Sequence, residues 1–484
     1  MIEDDKKEIE IESPPIPEDK RQLSLRASVW DGSLYSAMVG FGEIYYIPLL
    51  LAIGGTNFQV GVLTGVPQLC LAFSQFIALI LVNKLMNRKR IIVNGSAIHA
   101  SMLGLMFVGL ITHVLGPWLF IILVSAYFFS VGIVQPAWNS LMGDLTREDE
   151  RGKYFGRRNG LCQLVAFLAI LAGGLIIQHF ANNNNPLVGF AIIIAAAFLS
   201  RTGSVIWLAY HYEVPYKQPQ ESYFSFWQFI LRSPWSNFAH FVYFVALMSL
   251  TTQISAPYFT IYMLKALNMS YIQYTFAIGA QIVTMYVAMR RWGVICDLYG
   301  NRVVLRATAL IIPIIPILWL FSQNYSYIIF IQVISGFIWG GWALSTGNFI
   351  FDAVTPEKRA RCAAYFNFFN CTGVFIGAMI GAFLINHLPQ AINTGAMKLE
   401  LFSPIEFLFL ISGILRAVVA FIFIPTVREV RSVDKCDTKK MFFMLTEIRP
   451  FAALQFEPFT GFGKREITKI FTKSNGGKKN EHHD

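Results

Sequence analysis

Four ionisable side chains sit inside stretches that are otherwise apolar: Glu43, His99, Arg201 and Arg416. A charge at the centre of a bilayer costs about 3 kcal/mol, so such residues point first to ion or solute pathways. Glu43 falls roughly 13 residues past Trp30, about 20 Å along a helix and beyond the bilayer midplane. A carboxylate held there can take up and release a proton as its surroundings alternate. The plainer alternative is a glutamate satisfied by a nearby hydroxyl or arginine. Asp31, at the mouth of the same stretch, fits a helix cap or a gate. Arg201 and Arg416 can bind an anion, or pair with a carboxylate and extend towards the surface. His99 fits a proton carrier or a histidine hydrogen-bonded within a helix bundle.

Uncharged polar groups add hydrogen-bonding capacity. Gln135, Trp138 and Asn139 flank Pro136, and Gln253 shortly precedes Pro257, which is placed to break its helix. Gln332 lies in a later apolar stretch. One more pattern joins two distant places. Asp144 and Arg151 are separated by six residues, and so are Asp352 and Arg359. A shift of 208 positions lays the first pair on the second, Asn159 on Asn367 and Gly173 on Gly381. Arg201 meets Arg416 at a slightly larger offset. Such an echo marks an internal duplication. The 8 histidines are scattered, with no metal-binding His–Glu spacing and no phosphate-binding loop. The expectation is a chain that is not an enzyme and needs neither metal nor cofactor.

The elements that must hold these residues are membrane helices. Of 484 residues, 55% are hydrophobic and 14% charged, against about 25% charged in soluble proteins. Twelve apolar spans are expected near 30–53, 60–83, 91–112, 117–141, 159–181, 187–209, 237–263, 271–292, 303–322, 326–350, 362–387 and 404–426. Each can cross about 30 Å of hydrocarbon as a helix that satisfies its own backbone. The net charge of +10 sits in short loops, which argues against nucleic acid as the partner. Lys84, Arg88, Lys89 and Arg90 follow span 2; Arg147, Arg151, Lys153, Arg157 and Arg158 follow span 4; Lys358, Arg359 and Arg361 follow span 10. The opposite loops hold only Lys265 and Lys398. By the positive-inside rule both termini are cytoplasmic. The 6 cysteines avoid the outer loops, so no disulfide is expected.

The fold class is therefore an all-α polytopic membrane protein with twelve transmembrane helices in two six-helix, pseudo-symmetric halves. Residues 1–27 read as a disordered cytoplasmic tail, 28–210 and 237–427 as the halves, 211–236 as a linker and 428–484 as a basic cytoplasmic tail. The linker aromatics Tyr223, Phe224, Phe226, Trp227 and Phe229 fit an amphipathic piece at the inner interface or an unstructured connection. The basic tail is suited to anionic lipid headgroups. Gly373, Gly377 and Gly381 form a close-packing ladder.

The loop between spans 8 and 9, Gly293-Val294-Ile295-Cys296-Asp297-Leu298-Tyr299-Gly300-Asn301-Arg302, resembles the loop motif of the major facilitator superfamily. The equivalent loop after span 2 keeps only its basic end. The acidic–six–arginine spacing looks like that of the sugar porters of this superfamily. The resemblance covers about 28–428 and implies two halves around a central pathway with the site near mid-membrane. It implies that Asp144, Arg151, Asp297, Arg302, Asp352 and Arg359 form ion pairs closing the cytoplasmic side, with Gly293 and Gly300 shaping the turn. It also implies that spans 1, 4, 7 and 10 line the pathway, which favours Gln135, Trp138, Gln253 and Gln332. Span 5 has Gly173-Gly174-Leu175 without the proline of drug antiporters, and Tyr212-Glu213-Val214-Pro215 replaces the sugar-porter sequence after span 6. The look is that of bacterial facilitator permeases. The expected function is alternating-access secondary transport of a small solute, coupled to protons, by a monomer in the cell inner membrane. The alternatives are an uncoupled uniporter and a sensor or scaffold that uses the basic tail.

Overall fold

The computed structural model describes residues 16–214, 229–231, 236–354, 356–388, 391–393, 398–400 and 403–430. Twelve helical stretches among them are long and apolar enough to cross a membrane: Glu18–Ala52, Asn57–Leu85, Arg88–Ile111, Pro117–Leu145, Asp149–Asn182, Pro186–Ala209, Asn237–Ala266, Tyr271–Tyr299, Asn301–Leu318, Tyr325–Ala353, Cys362–Ile385 and Pro404–Phe423. These are spans 1 to 12. Their starts follow local chemistry. Thr56 with Gln59 and Ser270 with Gln273 form capping boxes at the same point of each half, before spans 2 and 8.

Span 1 corrects the expected tail. Its helix begins at Glu18, so 18–27 are helical. Glu18, one of the acidic residues that read as disorder, is a helix-start charge with partners. Arg21 joins Glu18 at 2.7 Å and Glu150 at 3.3 Å, and Arg147 reaches Glu18 at 3.1 Å. Residues 1–15, Tyr223 to Trp227 of the linker and the tail beyond 430 lie outside the described residues. Phe229, expected at the membrane surface or in a loose linker, is buried against Phe238, Tyr365 and Phe369. A two-stranded hairpin pairs Ala391–Asn393 with Lys398–Glu400, an addition to the all-helical expectation. Strands of three residues are too short to leave a pattern in sequence.

Spans 1, 7 and 9 are broken, span 9 between Ile311 and Ile314 at Pro313. Span 1 stops at Gly42, makes a single 3-10 turn over Glu43–Tyr45 and resumes at Tyr46. Span 7 ends its first helix at Gln253 and restarts at Ala256, as Pro257 demands. It finishes in a π-turn over Tyr262–Ala266. Span 11 lies on span 7 through its glycines. A methyl on Gly373, Gly377 or Gly381 would collide with the carbonyls of Ala246, Leu250 and Ile254. In the first half, Gly40 meets span 5 at Ala166, and Gly173 of span 5 faces Tyr45.

The halves meet away from the charged loops. The main apolar core joins Tyr45, Leu49, Leu63, Ile254, Tyr258 and Tyr262 of both halves at the opposite end, and within the second half it runs on to Phe349 and Val427 near the charged loops. Tyr45 hydroxyl contacts Thr275 at 3.1 Å, Tyr258 donates to the Asn57 carbonyl at 3.4 Å and Tyr274 to that of Ile44 at 3.3 Å. Midway, Asn367 donates to Gln75 at 3.5 Å. Towards the charged loops each half has its own smaller core, around Leu141 in one and Trp292 in the other. The shared core seals one end of the molecule.

Candidate functional site

The break at Gly42 turns Glu43 out of helical register and towards span 4. Tyr127 donates its hydroxyl to Glu43 Oε1 at 2.6 Å. Tyr127 is buried, and its ring lies edge-on to His99, centroids 3.7 Å apart. His99 is also buried, with neither ring nitrogen hydrogen-bonded among the described residues. Tyr35, one helical stretch before Glu43 on span 1, contacts His99 on one side at 6.3 Å. On its other side the Arg201 guanidinium lies over the Tyr35 ring at 5.0 Å. Spans 1, 3, 4 and 6 thus place Glu43, Tyr127, His99, Tyr35 and Arg201 in one continuous row.

The row ends at a cavity of about 210 Å³ on the charged-loop side. Asp31, Tyr35, Gln135, Trp138, Arg158 and Arg201 are among its walls. Arg201 donates to Ser204 at 2.8 Å and to Ser96 at 2.7 Å, and Ser204 donates to Asp31 Oδ1 at 2.6 Å. Arg158 lies 3.9 Å from Asp31 Oδ2 and covers the Trp138 ring at 4.6 Å. Beside them, past the end of span 6, burial pushes the His211 imidazole below its ordinary range, so it is neutral at pH 7. Seven expected residues are therefore brought together: Glu43, His99, Arg201, Gln135, Trp138, Asn139 and Asp31. Tyr127, Tyr35, Ser96 and Ser204 had no sequence signal, because their partners lie on other spans.

Arg416 behaves differently from its repeat mate. It is buried and has no carboxylate partner among the described residues. Its bonds go to Ser412 and Ser255 hydroxyls at 3.1 and 2.8 Å, and to the Thr252 and Ile312 carbonyls at 3.2 and 3.5 Å. It thereby joins the carbonyls at the breaks of spans 7 and 9. Gln253, half-buried, and Gln332, buried, lie in this second half and do not line the cavity. Glu406 is a further buried acid that sequence reading missed. It accepts from the Tyr262 hydroxyl at 2.6 Å and reads as an ordinary first-turn acid of span 12.

At the charged end Asp144 and Arg151 are not partners of each other among the described residues. Asp144 accepts from buried Arg88 at 2.7 Å, and Arg88 also donates to Ser140 at 2.8 Å and to the Val214 carbonyl at 2.9 Å. Arg151 instead donates to the Gly143 and Thr146 carbonyls at the end of span 4. Asp352 accepts from Asn301 at 2.6 Å, and the Arg359 side chain lies outside the described residues. Asn301 and Arg88 both start a span, so the two halves repeat the contact with different chemistry. Glu213 takes the backbone N–H groups of Arg88 and Lys89 at 3.2 and 2.5 Å. Glu429 takes that of Arg302 at 2.8 Å. A Glu-Val pair after the last span of each half was the overlooked signal. Gly300 turns with φ of 85°, Gly293 has room for a side chain beside Leu344, and Asp297 is exposed without a partner among the described residues.

A model of the major facilitator superfamily matches residues 32–256 and 241–466. The curated efflux pump azaK of Aspergillus niger is 28% identical over 120 residues, covering 24% of this chain and 25% of that protein. The chain thus spans about a quarter of the length of the curated relative it matches. Among solved structures, the nucleoside transporter NupG has a TM-score of 0.62 at 13% identity, over 85% of this chain and 99% of that one. A bacterial homologue of the human lysosomal transporter Spinster, inward-facing and unoccupied, has a TM-score of 0.62 at 12% identity, over 86% and 98%. At such identities these structures speak for the fold alone. Twelve spans in two echoed halves, each matched by the same family model, make the chain an integral, multi-pass membrane protein that belongs to the major facilitator superfamily.

Proposed function

We propose that the chain is a proton-coupled secondary transporter in which Glu43 carries the proton and the cavity beside Arg201 and Asp31 holds the solute. The observation that carries this reading is the unbroken row from Glu43 through Tyr127, His99 and Tyr35 to Arg201. A proton on Glu43 changes the charge at one end of the row, and a solute at the other end meets the same aromatic packing. Occupancy of one site then bears on the other, which is the requirement for coupling. The basic loops favour a cytoplasmic charged end with both termini inside, in the inner membrane. The closed end is then external, and the structure corresponds to an inward-facing state.

The test begins with a ligand-stabilisation screen on purified protein. Flux of the solute so found is then measured in proteoliposomes with and without a pH gradient. Gradient-driven flux that Glu43→Gln converts to gradient-blind exchange is the expected result. Flux that ignores the gradient and survives Glu43→Gln makes the chain a uniporter. The name of the Aspergillus relative favours export as a second reading. Alkalinisation of the lumen on solute entry speaks for antiport, and acidification for symport.

A further inference from the structure

We infer that the cavity beside Arg201 takes a small organic monoanion with a flat apolar body, an aryl carboxylate being the simplest form; this rests on the transporter reading above. Size is the first limit. Pockets for drug-sized ligands run to about 300–1,000 Å³, and this one is about 210 Å³. Charge is the second. Its walls carry two guanidinium groups, Arg158 and Arg201, against one carboxylate, Asp31. Neutral His211 adds nothing to the sum. A site left with one uncompensated cation in a low-dielectric wall favours an anion as the third party.

Each guanidinium keeps donors to receive it. A guanidinium has five N–H groups. Those of Arg201 reach only the uncharged hydroxyls of Ser96 and Ser204, and its Nε has no partner. Arg158 donates Nε to the Ser28 carbonyl and hydroxyl at 3.0 Å and Nη1 to Asn159 Oδ1 at 3.4 Å, while its Nη2 stands 3.9 Å from Asp31, beyond hydrogen-bond length. Arg416 makes the contrast in the other half, with bonds to four acceptors on spans 7, 9 and 12. The flat body follows from the walls, where Trp138 and Tyr35 already present their faces to the two guanidinium groups. Exposed Gln135 supplies a neutral amide at the rim.

Three probes of one shape separate charge from fit: benzoate, benzamide and benzylammonium. Each is titrated into the purified full-length chain, read by thermal melting and tryptophan fluorescence. Benzoate alone should raise the melting temperature and quench saturably. Arg201→Lys and Arg158→Gln should each weaken it about tenfold, the loss of one charge-assisted hydrogen bond. Trp138→Leu should remove most of the quench. Benzamide or benzylammonium binding as tightly as benzoate overturns the assignment. So does benzoate binding that both arginine variants retain, or binding by none of the three. Equilibrium binding needs no gradient. Benzoate binding with gradient-blind flux would sink the coupling and leave this site standing, and gradient-driven flux of a cation would do the reverse.

Discussion

At the scale of single residues, the same residue type takes opposite roles in the two halves. Arg201 and Arg416 occupy equivalent spans, yet one lines a cavity and the other holds a broken helix together. His99 and His211 are both buried and short of partners, but only His99 touches the row that begins at Glu43. His211 gives a pH prediction. Burial holds its native form neutral, so the unfolded chain binds the extra proton first as pH falls. Stability should be flat above about pH 6.5 and decline below it. The slope is at most one proton, about 1.4 kcal/mol per pH unit. Melting curves from pH 8 to 5 measure this, and His211→Phe should flatten the acid side. An acid limb identical in the variant would assign the loss to other groups.

At the scale of elements, breaks and caps decide what the spans present. The turn over Glu43–Tyr45 exists because Gly42 ends one helix and Tyr46 begins the next. A continuous helix would rotate the Glu43 carboxylate away from Tyr127. Caps at the charged end are the structural form of the repeat, with Glu213 on span 3 and Glu429 on span 9. Glu213→Gln and Glu429→Gln should each cost about 1 kcal/mol, read as a shift in denaturation midpoint. Equal losses would support equivalence of the two caps, and a loss at only one would break it. The spans themselves were legible in the sequence, because length and apolarity are local properties. Pro257 likewise announced the break in span 7. Gly42 announced nothing, since a glycine inside a membrane span is common.

At the scale of the whole molecule, the state is set by which end the halves share. Gly174 of span 5 abuts Thr275 of span 8 at the sealed end, with no space for a methyl group. Gly174→Val should wedge that seam apart and favour closure at the charged end. A cysteine at Asn139, exposed at the cavity rim, should then label several-fold more slowly, in a background without reactive native cysteines. Unchanged labelling would show that this seam does not govern the state. The sequence alone determined the membrane class, the number of spans, the duplication and the apolar placement of Glu43, His99, Arg201 and Arg416. Each follows from composition, periodicity or a shift along one chain. Only the tertiary structure decided partners. Asp144 met Arg88 rather than Arg151, Glu43 met Tyr127 from 84 positions away, and Arg201 met only serine hydroxyls where Arg416 also reached backbone carbonyls. Hydrogen bonds and ion pairs depend on distances of about 3 Å between spans, and a linear pattern carries no information on which faces of two helices will meet.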